Sequence, residues 1–229
     1  MMLSVIIPVY NEQSTISELI ERVEKVKIKK EIIVVDDGST DRTLEILILL
    51  KKKYNFILLT HDENQGKGAA IQTALKYVRG DLVVIQDADL ETDPNDYLEL
   101  VKPILNKQTK VVFTSRTRSL REIKPFIFKI YYIGSKFLTW LVNILFSAHF
   151  TDINSGCKLF ETGVLKSLNL QSKGFNIDEE ITAKILRRGY TLIEISIRYF
   201  PRTVDEGKKI RLIDGLIGAL TLIKYRFRN

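Results

Sequence analysis

The sequence is poor in the side chains on which several protein classes depend. Its 229 residues include one cysteine, Cys157, so an internal disulfide is excluded. The two histidines, His61 and His149, have no Cys or His neighbour at the spacing of zinc ligands. We therefore assign neither histidine a role, and Cys157 is typical of a small packed side chain. No nucleophilic triad is apparent either.

Long apolar runs are also missing. A membrane-spanning helix needs about 18–20 apolar residues, and the nearest run, 133–150, is interrupted by Ser135, Lys136, Asn143 and Ser147. The first residues lack the basic and then apolar layout of a signal peptide. We therefore expect a cytoplasmic chain that meets a membrane only peripherally, at the cytosolic face.

The charged residues are unevenly distributed. Residues 1–109 contain 14 Lys/Arg against 18 Asp/Glu, whereas residues 110–229 contain 21 against 10. Clustered aspartates in the acidic half suggest a bound cation, and the basic half suggests phosphates, an anionic membrane surface or nucleic acid. We expect no nucleic acid, because the aromatics of the basic half lie in apolar helix runs and do not alternate with basic residues.

Short apolar runs alternate with helical patterns, which is typical of βαβ units in a mostly parallel sheet. The predicted strands are Leu3–Ile7, Ile32–Val35, Phe56–Leu59, Leu82–Ile85, Val111–Thr114 and Leu192–Tyr199. The predicted helices cover about 14–26, 40–53, 67–78, 125–148 and 178–188. This pattern predicts one α/β domain over residues 1–211, followed by an amphipathic basic segment, 212–229.

Polar motifs follow the predicted strands where the strands end, which is where ligands bind in open parallel sheets. Asp87 and Asp89 come directly after the fourth strand, and alternate residues of a strand point the same way. Two carboxylates so close repel each other unless a cation lies between them, and oxygen ligands suit Mg²⁺ or Mn²⁺. Glu91 is a candidate third ligand. The alternative is a solvated acidic turn.

Further motifs at the same edge suit a nucleotide. Asp36 and Asp37 follow the second strand, where a carboxylate can accept hydrogen bonds from a base or ribose or else cap a helix. Tyr10 and Glu12 follow the first strand and can line the same pocket. Lys67 lies between two glycines at a predicted helix start, where backbone N–H groups can meet an anion, although a simple tight turn fits equally well.

Two basic clusters can meet phosphates, because guanidinium groups pair with them well. The first follows the fifth strand and the second surrounds Gly207; their members are Arg116, Arg118, Arg121, Arg202, Lys208, Lys209 and Arg211. A solvated basic face is the alternative.

Taken together, the motifs resemble glycosyltransferase family 2 and, within it, the dolichyl-phosphate mannose and glucose synthase branch. The resemblance covers about residues 2–211. It is carried by Val5–Glu12, Val34–Ser39, Asn64–Ala69, Gln86–Leu90, Ser115–Arg116, Asp152–Gly156 and Tyr199–Lys209. This resemblance implies a GT-A fold, an α/β/α sandwich around a Rossmann-like nucleotide half.

The resemblance also implies roles for individual residues. Nucleotide contacts are expected from Pro8, Tyr10, Glu12, Asp37, Lys67, Asp87 and Ala88, and metal contacts from Asp87, Asp89 and Glu91. Asp89, Arg116 and Arg202 are the expected catalytic residues. Acceptor contacts are expected from Arg118, Ser135, Asp152, Ser155, Lys208 and Lys209. The sequence departs from the family at Glu91, where Gln is frequent, and at Lys158, where Arg is frequent.

The expected reaction is an inverting transfer of a hexose from a GDP- or UDP-sugar to a polyprenyl phosphate at a membrane surface. A phosphate monoester is already anionic near neutral pH, so no strong general base is required. The helix near 125–148 and the end near 212–229 combine apolar and basic residues, the pattern of an interfacial helix or of ordinary core. Transfer to a sugar hydroxyl, with Asp152 or the run 178–180 as base, and a non-catalytic nucleotide-sugar-binding protein are the alternatives.

Overall fold

The computed structural model describes residues 1–117, 126–202, 209 and 211–227, and the side chains of 126–131 and 212 lie outside that description. Its centre is a seven-stranded sheet with the order β3-β2-β1-β4-β6-β5-β7. The strands are β1 Leu3–Val9, β2 Lys30–Asp36, β3 Ile57–Thr60, β4 Leu82–Ile85, β5 Val111–Ser115, β6 Lys158–Glu161 and β7 Ile193–Ser196.

All neighbouring strands pair in parallel except at β6, which runs antiparallel to both β4 and β5. The prediction of a mostly parallel sheet is therefore confirmed. β6 was not predicted, because its four residues begin with Lys158 and end with Glu161. Lys158 is nevertheless fully buried in the sheet, which no hydrophobicity pattern indicates.

Helices fill the connections between the strands. They are α1 Ile16–Lys25, α2 Thr43–Lys51, α3 Lys67–Leu75, α4 Tyr97–Leu105, α5 Phe126–Phe146, α6 Thr162–Ser167, α7 Ile177–Arg187 and α8 Leu212–Phe227. Helix α2 is shorter at both ends than the helix predicted at 40–53. Helices α4 and α6 were not predicted, the first because Pro103 lies inside it and the second because it has only six residues.

The core forms one layer on each face of the sheet. Alternation along β1 sends Val5 and Ile7 to one layer and Ile6 to the other. Helices α1 and α4 supply the first layer with residues such as Leu19 and Leu100. Helices α3, α6 and α7 supply the second. The result is the α/β/α sandwich that the sequence predicts.

Helices α5 and α8 pack on α7 through a separate cluster that includes Leu138, Val142, Ala183 and Leu222. Each of the two helices also carries an outward apolar face at helical spacing. The exposed residues are Ile133, Phe137, Trp140 and Ile144 on α5, and Ile213, Leu216, Ile217, Leu220, Ile223 and Phe227 on α8. Among the described residues, no helix combines the length and apolarity needed to cross a bilayer.

Candidate active site

A cavity of about 920 Å³ opens where β1, β2 and β4 end. One wall, the strand-end wall, comes from these strand ends and the first residue of α3. A second wall, the helix wall, contains Gly134, Ser135 and Leu138 of α5 and Ile213, Asp214 and Gly215 of α8. The predicted site residues that line the cavity are Pro8, Tyr10, Glu12, Asp37, Lys67, Asp87, Ala88, Asp89, Glu91, Ser135, Arg116, Arg202 and Lys209.

Asp87, Asp89 and Glu91 lie in the turn after β4, which ends at Ile85. They therefore do not project from the strand itself, as the sequence pattern suggested. The turn bends at Leu90, whose φ is +60°, and the backbone N–H of Glu91 donates to Oδ1 of Asp89 over 3.1 Å. All three side chains reach the same cavity.

The Asp89 carboxyl is in an environment that suits a cation. Burial, together with the nearby charges of Glu91 and Asp87, raises its pKa to about 7 against the opposing effect of Arg202. A divalent cation relieves such crowding, and three carboxylates are a donor set that Mg²⁺ and Mn²⁺ accept. The residues present therefore fit a divalent cation.

The three carboxylates are, however, already engaged by the protein. Asp87 pairs with Lys67, and Glu91 accepts hydrogen bonds from the Tyr199 hydroxyl and the Arg202 backbone. In the described part of the chain, no three Asp, Glu, His or Cys side chains converge as a ready-made metal site. A cation at this edge must therefore compete with these partners.

Gly156 leaves the space that the Asp87 side chain occupies. A Cβ at Gly156 would lie 1.8 Å from Oδ2 of Asp87, far inside van der Waals contact. Gly156 belongs to the turn that precedes β6, so this turn packs directly against the carboxylate. Position 156 therefore requires glycine, because any larger side chain would collide with Asp87. The sequence alone did not reveal this requirement.

The carboxylate of Glu12 forms ion pairs with two basic residues of the C-terminal region. Both terminal nitrogens of Arg202 contact its carboxylate, at 2.8 and 2.9 Å, and Lys209 Nζ lies 2.5 Å from Oε1. Burial alone would raise the pKa of Glu12, but the hydrogen bonds from Arg202 and Lys209 outweigh it and lower the pKa. Arg202 also lies 3.8 Å from Asp89, so it joins Glu12 to the acidic turn.

Arg116 is fixed by Asp152 in a two-pronged ion pair. Nε lies 2.7 Å from Oδ2 and Nη2 lies 2.8 Å from Oδ1, while Nη2 also donates to Ser135. Burial would raise the pKa of Asp152, but Arg116 lowers it to about 2. Asp152 does not itself line the cavity; it holds the arginine that does.

Three other predicted acceptor residues have different outcomes. The Ser155 side chain is fully buried and hydrogen-bonds the Thr114 hydroxyl, away from the cavity lining. Arg118 and Lys208 lie outside the described residues, as does Arg121.

Asp37 has partners that the sequence analysis missed. Its carboxylate accepts from the backbone N–H groups of Gln65 and Gly66, at 3.0 and 2.7 Å, and lies 2.6 Å from His61 Nδ1. Because a carboxylate only accepts, Nδ1 carries a proton, and Nε2 lies at hydrogen-bond distance, 3.0 Å, from the Thr73 hydroxyl. His61 therefore supports Asp37 from behind the cavity wall.

The backbone of residues 172 and 173 packs directly against the start of α3. A Cβ at Gly68 would lie 2.1 Å from the Ser172 carbonyl oxygen, and one at Gly66 would lie 2.5 Å from that of Lys173. The Ala69 N–H donates to Lys173, and the Gly66 N–H to Asp37. These two glycines allow close packing, and of the groups predicted to meet an anion here, the Lys67 side chain lines the cavity.

Asn154 and Glu179 form a polar pair in the cavity lining. Glu179 belongs to the run 178–180, the candidate base of the alternative reaction, whereas Asn154 was not predicted as a site residue. Nδ2 of Asn154 donates to Glu179 Oε1 over 2.5 Å, and Oδ1 of Asn154 is buried without a hydrogen-bond partner among the described residues. Burial, with a further contribution from the charge of Asp178, raises the pKa of Glu179 to about 7. The pair can therefore accept a hydrogen bond from a ligand.

Comparison with known proteins gives consistent results. The family model described as Glycosyl transferase family 2 matches residues 4–167. A dolichyl-phosphate beta-glucosyltransferase of Trichomonas vaginalis is 32% identical over 241 residues, covering 96% of this chain and 72% of the relative. A UDP-N-acetylglucosamine–dolichyl-phosphate N-acetylglucosaminyltransferase of Methanococcus voltae is also 32% identical, covering 96% of this chain and 94% of the relative.

Among solved structures, glucosyl-3-phosphoglycerate synthase from Mycobacterium tuberculosis, in complex with Mn²⁺, uridine diphosphate and phosphoglyceric acid, aligns with a TM-score of 0.75. Its sequence identity is 21%, and the alignment covers 99% of this chain and 78% of that one. At this identity the likeness concerns the fold.

Proposed function

Because this chain belongs to glycosyl transferase family 2, we propose that it transfers a hexose, or an N-acetylated hexose, from a nucleotide-sugar to a polyprenyl phosphate of the dolichyl type. Support comes from the names of two relatives, both of which specify a dolichyl-phosphate acceptor. One of these names also specifies a UDP-sugar, so we expect a UDP-sugar donor before a GDP-sugar.

The observation that carries the proposal is the pairing of unlike groups in one cavity. Asp87, Asp89 and Glu91 lie at one end, and the cationic groups of Arg116 and Arg202 lie beside them. A nucleotide diphosphate needs both, because its charge is neutralised by a cation held on carboxylates and by guanidinium groups.

For the donor, we assign Pro8, Tyr10, Glu12, Asp37, Lys67, Asp87 and Ala88 to the nucleotide and Asp87, Asp89 and Glu91 to Mg²⁺ or Mn²⁺. When bound, the cation supplies Lewis-acid stabilisation of the charge on the departing diphosphate. Asp37 accepts hydrogen bonds from the nucleoside while His61 keeps it oriented. Arg116 and Arg202, which line the same cavity, are assigned to the phosphates of the donor.

The acceptor phosphate attacks the anomeric carbon directly, which inverts its configuration. Arg116 orients this phosphate with Ser135, and Asp152 acts by holding Arg116. We retain Arg118, Lys208 and Lys209 as proposed acceptor residues, whereas Ser155, whose side chain is buried, only holds Lys158 through its carbonyl oxygen. Because the phosphate is already an anion, the chain needs no base to activate it.

The lipid part of the acceptor is proposed to approach past α5 and α8. Gly134, Leu138, Ile213 and Gly215 present small or apolar surface to the cavity, and the outward faces of both helices are apolar. Basic residues accompany them at Lys136, Lys224 and Arg226. This combination suits a peripheral contact with an anionic membrane surface, proposed to be the cytosolic one.

A second candidate function is transfer to a hydroxyl of a sugar or other soluble acceptor. Glu179 favours it, because its carboxyl lies at the cavity with a pKa raised to about 7 by burial. A group with such a pKa is suited to removing a proton from a hydroxyl at neutral pH.

Incubation of the protein with radiolabelled UDP-glucose or UDP-N-acetylglucosamine and Mn²⁺, with and without polyprenyl phosphate, tests the proposal. We expect label in the organic phase only when the lipid phosphate is present. Label that enters water-soluble product regardless of the lipid would favour the hydroxyl acceptor, and donor binding with no transfer to either would favour a binding protein.

A further inference from the structure

Lys67 occupies the position from which a cation would neutralise Asp87. Its Nζ lies 2.8 Å from Oδ1 and 3.1 Å from Oδ2 of Asp87, so the ammonium group straddles both oxygens of the carboxylate. The Lys67 side chain is only 10% exposed. Water therefore screens this ion pair weakly.

The ammonium group is held there from the other side. Asp178 accepts from Lys67 at 3.3 Å through Oδ2 and from the fully buried Lys158 at 2.5 Å through Oδ1. The four side chains form an alternating row of charges, Asp87–Lys67–Asp178–Lys158. Because burial of an unpaired charge is costly, each member keeps its neighbour in place.

The backbone that carries Lys67 is also fixed. Its flanking glycines, Gly66 and Gly68, pack against the carbonyls of Lys173 and Ser172 at distances that exclude any larger residue. This close packing disfavours a shift of the helix start, so movement of the Lys67 side chain is the expected way for it to leave Asp87.

We propose that Lys67 competes with the divalent cation for Asp87, so that the metal binds weakly on its own and strongly only together with the donor diphosphate. This inference rests on the proposed metal-dependent function. A dication that reaches Asp87 is repelled by an ammonium group about 3 Å from the same carboxylate. A diphosphate gives Lys67 another anionic partner and thereby removes the competition.

The ordinary reading of Lys67, a phosphate ligand with no effect on the metal, makes a different prediction. Its removal would then weaken nucleotide binding and leave the affinity for metal alone unchanged. The change in Mn²⁺ affinity without nucleotide, when Lys67 is removed, therefore separates the competing lysine from the simple phosphate ligand.

The test is a titration of the whole chain with Mn²⁺ alone, followed by the signal of free Mn²⁺ in electron paramagnetic resonance. We expect Lys67→Met to bind Mn²⁺ at least about tenfold more tightly than the wild type, since one close positive charge is removed. Lys67→Arg keeps the charge and should keep the weak binding. Lys76→Met, which removes an exposed charge next to the same helix, should change nothing.

The same titration in the presence of UDP completes the test. There the advantage of Lys67→Met should shrink to less than about threefold, because in the wild type Lys67 then faces the diphosphate. An unchanged or weaker affinity of Lys67→Met for Mn²⁺ alone overturns the inference. Circular dichroism checks that each variant is folded, and Lys67→Gln repeats the measurement should the methionine variant fail that check.

Failure of the proposed function has a different signature. If the wild type binds no Mn²⁺ even with UDP, the metal-dependent reaction is wrong. If it binds Mn²⁺ with UDP but Lys67→Met gains nothing without UDP, only the inference about Lys67 is wrong.

Discussion

The two walls of the cavity differ in the side chains that form them and in the interactions that hold those side chains. On the strand-end wall, charged side chains are buried and paired: Asp87 with Lys67, and Glu12 with Arg202. The helix wall presents mainly small and apolar residues, with Asp214 as a charged exception, and its outer surface exposes large apolar residues such as Trp140 and Leu220. The first arrangement suits a small, highly charged donor, and the second suits a long apolar acceptor. Each wall can therefore be disabled while the other is left intact.

The largest expected effect follows from removing a charge on the strand-end wall. Asp89→Asn should lower kcat by about 10³-fold or more, because stabilisation of a departing diphosphate by a bound cation amounts to several kcal/mol. Steady-state transfer measured with UDP-sugar and polyprenyl phosphate checks this. Asp62→Asn, at an exposed position, is the control and should keep full activity. An active Asp89→Asn variant would remove Asp89 from the catalytic residues.

The Arg116–Asp152 pair should dominate local stability. Asp152→Asn leaves a buried guanidinium without its counter-ion, which costs about 3–5 kcal/mol of unfolding free energy. Urea denaturation at pH 7 measures the loss. A loss below about 1 kcal/mol would mean that the pair is more hydrated than its burial indicates.

The pH dependence of this pair has a definite sign. The pKa of Asp152 is lowered to about 2 in the folded protein, against about 3.9 in an unfolded chain. Its stabilisation is therefore complete above about pH 4 and is lost as the pH falls towards 2. The difference in unfolding free energy between wild type and Asp152→Asn should stay constant from pH 7 to 5 and shrink below pH 4. A difference that shrinks already between pH 7 and 5 would contradict this.

Gly156→Ala should reduce activity by about 10²-fold, because the new methyl group collides with Asp87 and displaces it from the acidic turn. Gly163→Ala is a matched control, since a Cβ at Gly163 meets nothing within 4 Å. Transfer assays on both variants make the comparison. Equal activity of the two would show that the position of Asp87 is not critical.

His61→Asn should raise KM for the donor about tenfold and leave kcat within twofold, because a lost hydrogen bond to a charged group is worth about 1.5 kcal/mol or more. The Asp37 carboxylate then loses one of its supports but keeps its charge. His149→Asn, at an exposed histidine, is the control. A fall in kcat with unchanged KM would place His61 closer to the chemistry than the structure does.

The smallest expected effect concerns the helix wall. The double variant Trp140→Ser, Leu220→Ser should bind vesicles of anionic phospholipid about five- to tenfold more weakly, with unchanged stability and unchanged donor binding. Ile48→Ser, Leu49→Ser removes two equally exposed apolar residues from α2 and serves as control. Vesicle sedimentation gives the affinities. An equal loss in both variants would argue against a membrane contact through α5 and α8.

The two walls also differ in how far they could be predicted from the sequence. The convergence of Asp37 and Asp87 follows from the ends of parallel strands, which local patterns reveal. Their partners do not follow, because Arg202 reaches Glu12 from 190 residues away. His61 could have been found only from the sheet register, in which Thr60 lies opposite Asp36.

Other features could not be predicted, because they depend on tertiary packing rather than on a local sequence pattern. Strand β6 was missed because Lys158 is a charged residue in a buried strand, and its ion pair with Asp178 and its hydrogen bond to the Ser155 carbonyl make that burial acceptable. The pair Asn154–Glu179 joins a loop to α7, and no spacing in the sequence indicates such a contact. On the helix wall, the apolar periodicity of α5 predicted the helix but not which of its faces is exposed.

The central claim is that the acidic turn after β4 holds a divalent cation that in turn holds the diphosphate of the donor. Anomalous diffraction from a crystal grown with Mn²⁺ and UDP tests this claim most directly. We expect one strong manganese peak beside Asp89, in contact with the UDP phosphates. A manganese peak elsewhere, or ordered UDP in the cavity with no manganese at the turn, would contradict the account.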